Sequence, residues 1–272
     1  MDYDPIKFRI ARLLGKKPLF RRLFHLGLDI LFLRSWWVRR ELWAMKKTMN
    51  KGGLALDAGM GFGQYSDRMA RMFPKASVVG LEIDQSHLYG AEKYFASEHP
   101  DFRFIVGDVQ ETPLASSKFD LILSVDVMEH IPDDEATFRE FYRILKPGGT
   151  FIMHTPRNKA PVGVDRDMTT DEGWVVGEHV RDGYRDVEAS ERLKRAGFEV
   201  KRLTHGYGAF GMAAWTLMQR IPLGLMAKGW TVLAVPFILL ALPFGLAAML
   251  LDLIPGEQPE GGSLLAIVVK PK

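Results

Sequence analysis

Beyond residue 53 the apolar positions fall into short continuous runs, at 54–58, 77–81, 103–106, 119–124 and 150–154, separated by stretches in which they recur every three or four residues. Short runs suit buried strands and the wider spacing suits one face of a helix, so the alternation predicts strand–helix repeats that build a parallel sheet. Residues 64–72 and 134–145 read as two of the helices, the second with Phe138, Phe141, Ile144 and Leu145 on one face. Lys146-Pro147-Gly148-Gly149 then reads as its stop, because proline cannot continue a helix and glycine accepts the positive φ of a cap. A helix at 188–196 ends at Gly197 and leads to a sixth strand at 198–203, and a seventh falls at 264–269. The stretch 156–187, rich in Gly, Asp and Arg, predicts a long loop or cap beyond the fifth strand, of a length that is usually functional or mobile.

Two segments depart from this rhythm. Near the start, Leu19/Phe20, Leu23/Phe24, Gly27 and Ile30/Leu31 have the spacing of an amphipathic helix, followed by Trp36, Trp37 and Trp43. Such a helix suits either a membrane surface or a helix pair packed on the domain. Near the end, 210–253 is apolar and 229–251 holds no charged side chain, which meets the length of roughly 20 residues that a bilayer crossing needs. The expected organisation is basic N-terminal helices at 1–50, a core at 51–205, an apolar helical insertion at 206–262 and a last core strand at 263–272.

Charge sharpens the contrast. The first fifty residues hold twelve Lys and Arg against four acids, although the whole chain has a net charge of only +3. A basic arm on an otherwise acidic body predicts an anionic surface as partner, here lipid rather than nucleic acid. The chain has no cysteine, so disulfides, thiolate metal sites and cysteine nucleophiles are excluded. The early apolar stretch contains His25 and Asp29 and lacks a small-residue cleavage site, which predicts a protein on the cytoplasmic face of the membrane, peripheral or monotopic.

The candidate chemistry begins at Asp57-Ala58-Gly59-Met60-Gly61-Phe62-Gly63, a glycine-rich turn after the first strand and before a helix. Glycines let a backbone turn tightly and approach a ligand. Glu82 ends the second strand, where a carboxylate can accept hydrogen bonds from ribose hydroxyls. Asp108 follows the third, where it can accept from an adenine amino group. The fourth runs into Ser124-Val125-Asp126-Val127-Met128-Glu129-His130. All of these lie at carboxyl ends of successive strands, the edge where open parallel sheets bind ligands.

These motifs together resemble the class I S-adenosylmethionine-dependent methyltransferases, particularly the group with the ubiquinone and menaquinone methyltransferases, over about 50–205 and the final strand. The resemblance implies a Rossmann-like α/β fold with a seven-stranded, mostly parallel sheet and helices on both faces. It implies S-adenosyl-L-methionine as cofactor, with Asp57, Gly59, Gly61 and Gly63 at its methionine part, Glu82 at the ribose, Asp108 and Val109 around the adenine and Ser124 beside the methionyl chain. No metal site is expected. Candidate bases are His179, Asp126 and His130, with His154 a further histidine at a strand end. His179 leads because its loop is best placed to close over an acceptor. In this family the last two strands are adjacent and antiparallel, so both ends of the insertion must lie on one side of a membrane. That favours a monotopic or re-entrant hairpin, bent at Pro236 or Pro243, over a single crossing; a buried lid or dimer interface has the same pattern. The expected activity is methylation of a small or lipophilic, membrane-resident acceptor. The alternatives are a binding protein without catalysis or a non-methylating enzyme on the same scaffold.

Overall fold

The computed structural model describes residue 14 and residues 17–88, 91–158, 180–254 and 261–272. Two helices, α1 (Pro18–Leu31) and α2 (Leu33–Met49), precede the sheet. Then come β1 (Leu54–Ala58), α3 (Gln64–Met72), β2 (Ser77–Glu82), α4 (Ala91–Glu98), β3 (Arg103–Val106), β4 (Phe119–Val125), α5 (Asp134–Ile144) and β5 (Leu145–Pro156). After α6 (Asp186–Arg195) and β6 (Glu199–Gly206), the insertion forms α7 (Ala209–Trp215), a π-helical turn (Thr216–Arg220), α8 (Ile221–Ala227) and α9 (Thr231–Asp252), and β7 (Ser263–Val269) follows.

The seven strands lie in the order β3-β2-β1-β4-β5-β7-β6. β1 to β5 pair in parallel, whereas β7 runs antiparallel to both β5 and β6. The chain winds outward from β1 to β3 and then restarts at β4, so a crevice opens between the carboxyl ends of β1 and β4. One face of the sheet buries Trp37, Leu42, Met69, Phe73, Tyr94 and Phe95 from α2, α3 and the α4 region. The other buries Phe138, Phe141 and Leu193 from α5 and α6. The predicted architecture and all seven strands are present.

Two local expectations differ. The helix α5 stops at Ile144, but Lys146–Gly149 is the opening of β5 rather than a free turn. Gly148 N donates to Lys270 O at 2.8 Å and Lys270 N to Gly149 O at 3.0 Å, so the continuation of β7 recruits these residues into the sheet. The insertion reverses at Gly229 and not at a proline. Gly229 has φ +80°, and its N–H reaches Met226 O at 3.0 Å while Trp230 N reaches Leu225 O at 2.9 Å, the paired bonds of a glycine-closed helix end. α9 continues through Pro236 and Pro243, because a proline removes one helical hydrogen bond without reversing the chain.

The insertion is fastened at its base. Asp252, the last residue of α9, accepts from Trp37 Nε1 and Tyr207 N at 3.1 Å each and from Gly211 N at 2.9 Å. Farther out the apolar side chains face outward: Val232 is 86% exposed, Leu240 75% and Phe244 70%. The segment Val232–Asp252 is long and apolar enough to cross a membrane.

Candidate active site

The glycine-rich turn has the backbone its composition permits. Gly59, Gly61 and Gly63 have φ of +77°, +52° and +84°, a region that disfavours any residue with a Cβ. Gly59 N and Met60 N both donate to Leu81 O, at 2.9 and 3.0 Å, which hangs the turn on β2. A Cβ on Gly59 would lie 2.4 Å from Val127 Cγ2, whereas nothing stands within 4 Å of one on Gly61. Gly59 therefore serves packing, and Gly61 borders the space a ligand can enter.

Glu82 sits beside that space, 7% exposed. Its Oε2 accepts from Gly61 N at 2.7 Å and its Oε1 from Asp84 N at 3.0 Å. Burial pushes its pKa up, but His87 and these two N–H groups more than offset that and hold it below the usual carboxylate range. An ionised carboxylate with lone pairs to spare suits a pair of ribose hydroxyls. Asp57 is engaged differently. Its Oδ2 accepts from Ser66 Oγ at 2.6 Å, bracing α3 against β1 below the turn, and burial raises its pKa to about 7. Asp108 accepts from Gln110 N at 2.8 Å, and Val109 is buried next to it. Ser124 is fully buried in β4 and its Oγ has no partner among the described residues. An open cradle at Gly61, an ionised acid at the end of β2 and a second acid after β3 fit S-adenosylmethionine, whose hydroxyls and amino groups donate to such acceptors.

A second cluster lies at the ends of β4 and β5. Asp126 adopts φ +52°, which turns its carboxylate between two cations or donors. His154 Nδ1 lies 2.7 Å from its Oδ1, and Arg34 Nη1, from α2, pairs with its Oδ2. Burial opposes the Asp126 charge, but Arg34 and then His154 outweigh it and pull the pKa well below the usual range. His154 is almost wholly buried, and its Nε2 has no hydrogen-bond partner among the described residues. Tyr207, at φ +58°, accepts from Arg34 N at 3.2 Å through its hydroxyl. His130 stands half-buried at the end of the short turn Met128–His130. His179 lies outside the described residues.

Glu129 lies next to this cluster, accepting from Thr155 Oγ1 at 3.2 Å. Burial, reinforced by the Asp126 charge, raises its pKa from 4.5 to about 8. Between those two values the unfolded chain has released this proton and the folded chain keeps it, so stability falls as pH rises across that window. Glu129→Gln removes the ionisation while keeping the shape. Denaturant melts should show the wild type losing stability between pH 6 and pH 8.5, and the variant should be flatter and more stable at the upper pH by on the order of 1–3 kcal/mol. A variant with the wild-type slope would place the titration elsewhere.

α1 lies over the glycine turn. Arg21 Nη1 donates to Phe62 O at 2.6 Å and His25 Nε2 to the same oxygen at 3.0 Å. Gln64 Nε2 donates to Asp29 Oδ1 at 2.7 Å and to Ser35 Oγ at 2.8 Å, and Arg68 pairs with Asp29. Arg34, Glu129 and these α1 contacts were not among the sequence candidates. The one hint was Gln64, which stands where a dinucleotide-binding turn would have glycine.

Residues 56–153 match the methyltransferase domain family. The sterol 24-C-methyltransferase of Saccharomyces cerevisiae is 33% identical over 115 residues, 41% of this chain and 29% of that protein. A candidate S-adenosylmethionine-dependent methyltransferase of Mycolicibacterium smegmatis is 27% identical over 181 residues, 66% of this chain and 65% of that one. The alignments thus span less than two thirds of these relatives. Among solved structures, a candidate sarcosine dimethylglycine methyltransferase from Galdieria sulphuraria superposes with a TM-score of 0.60 at 18% identity, over 87% of this chain and 86% of that one. With the strand order, the three left-handed glycines and the family match in agreement, the chain carries a class I S-adenosylmethionine-dependent methyltransferase domain.

Proposed function

We propose that the protein transfers the methyl group of S-adenosylmethionine to a lipophilic acceptor held at the ends of β4 and β5, with His154 receiving the acceptor's proton. The observation that carries the proposal is the Asp126–His154 pair. Asp126 accepts the Nδ1 proton, which leaves the buried Nε2 as the basic atom. The bound cofactor supplies a methyl group already activated on sulfur, so the chain's own residues have to position the acceptor, exclude water and take up a proton. Arg34 fixes Asp126 from α2, and Tyr207 fixes Arg34, so the N-terminal helices form part of the acceptor side.

Two observations support a lipophilic acceptor. The relative from Saccharomyces cerevisiae acts on a sterol, and the outward apolar faces of α8 and α9 suit a protein that collects its substrate at a membrane. The quinone-methylating group that the combined motifs resemble shares that acceptor class, and acceptor class, rather than one compound, is what we propose. Full-length protein incubated with methyl-labelled S-adenosylmethionine and a total lipid extract should move label into the organic phase. Label appearing only on water-soluble acceptors, with cofactor binding intact, would overturn the lipophilic reading.

A further inference from the structure

α1 is arranged inside out. Its charged and polar residues Arg21 and His25 are buried, at 0% and 2% exposure, whereas Leu19, Leu23, Leu26 and Ile30 form an exposed stripe. These four recur at intervals of four, three and four residues, so they lie along one side of the helix. In water such a helix would turn this stripe to the core. It is held instead by its polar side, through Arg21 and His25 on Phe62 O and Asp29 on Gln64 and Arg68. The outer stripe is therefore built for an apolar occupant.

Two features identify that occupant as an anionic bilayer. The apolar insertion meets the end of α1 at its π-helical turn, where Gln219 Nε2 donates to Leu31 O at 3.3 Å, so the helix that carries the stripe is joined to the element that carries the exposed apolar residues of α8 and α9. The two N-terminal helices also expose cationic and aromatic side chains: Lys17 and Arg22 in the α1 region, and Arg39, Trp43, Lys46 and Lys47 on α2. Exposed aromatic and basic groups on helices that also carry an exposed apolar stripe match the headgroup layer of an anionic membrane.

We propose that a bilayer takes the outer stripe of α1 and thereby tightens cofactor binding, because the inner face of the same helix holds the carbonyl of Phe62 in the cofactor turn. This rests on the membrane reading above. It adds that one helix has lipid on one side and the cofactor loop on the other, so each ligand stabilises the helix position that the other requires. The coupling is reciprocal: cofactor must strengthen membrane binding by the same factor by which membrane strengthens cofactor binding.

The test uses the full-length protein and vesicles of phosphatidylcholine and phosphatidylglycerol. Calorimetric titration with S-adenosylmethionine should show affinity about tenfold tighter with vesicles than without, within the 5- to 150-fold range usual for coupled sites. Flotation should show the cofactor-free protein binding vesicles more weakly by the same factor. The double variant Leu23→Gln/Leu26→Gln should keep the lipid-free cofactor affinity and still float through α8 and α9, but lose the gain. Arg21→Ala should float like the wild type and lose the gain as well. A wild type that does not float refutes the membrane reading, and this inference with it. One that floats with unchanged cofactor affinity refutes only the coupling. A dimer by light scattering that the double variant converts to monomer would make a second copy the occupant and overturn the proposal.

Discussion

Replacing His154 by Ala is expected to slow turnover by about 10² to 10⁴, the usual loss for a general base, while S-adenosylmethionine binds as before. The two effects separate because His154 stands at the end of β5 beside Asp126, whereas the cofactor cradle is built from β1, β2 and the turn between β1 and α3. Asp126→Asn should be nearly as damaging for a different reason. An amide facing Nδ1 can donate to it, and the imidazole proton then moves to Nε2, the atom that has to accept. Asparagine also tolerates the left-handed backbone at this position, so the fold should survive. Single-turnover rates with labelled cofactor, compared with cofactor affinity by calorimetry, check both variants. Normal turnover in His154→Ala would move the base elsewhere, with His130 and His179 the next to replace.

Glu82→Ala should weaken cofactor binding by about a hundredfold or more. It removes the acceptor proposed for the ribose, with charge-assisted bonds worth roughly 1.5–3 kcal/mol each, and it releases Gly61 N, which the same carboxylate holds. Gly61→Val should match that loss by another route, filling the open side of the turn and straining a backbone at φ +52° by roughly 1–2 kcal/mol. Gly59→Val is the control, because its Cβ would strike Val127. Thermal melts should show it destabilised well beyond Gly61→Val. Calorimetric affinities unchanged in both Glu82→Ala and Gly61→Val would mean that the cofactor lies elsewhere.

The parts of this fold that could be read from sequence are those set by local pattern. Apolar runs marked the strands because both faces of a central parallel strand are covered, and alternate glycines marked the turn because three positive φ values need them. What escaped depends on partners far along the chain. The spacing of Leu19, Leu23 and Leu26 announces an amphipathic helix but not which side faces inward. That choice is made by Phe62 O, 41 residues from Arg21. Arg34 looks like one more base in a basic arm until the fold brings Asp126, 92 residues away, to its guanidinium. Pro236 and Pro243 are the loudest breakers in the insertion, yet the paired carbonyls of Met226 and Leu225 show that Gly229 closes the turn.

The position of β7 has a consequence for how the chain is made. It occupies the slot between β5 and β6, yet it follows the whole apolar insertion in the chain. During synthesis β1 to β6 therefore emerge with a gap in the sheet, and the edges of β5 and β6 stay unpaired until the insertion has left the ribosome. Pairings such as Ile152 with Ile267 join segments so distant in sequence that they form late and slowly. An unpaired strand edge next to an exposed apolar hairpin is the kind of intermediate that aggregates. A bilayer or chaperone that receives the hairpin as it emerges would shelter the unfinished sheet, so yield in a cell-free synthesis should respond to vesicles supplied during translation more than to vesicles added afterwards.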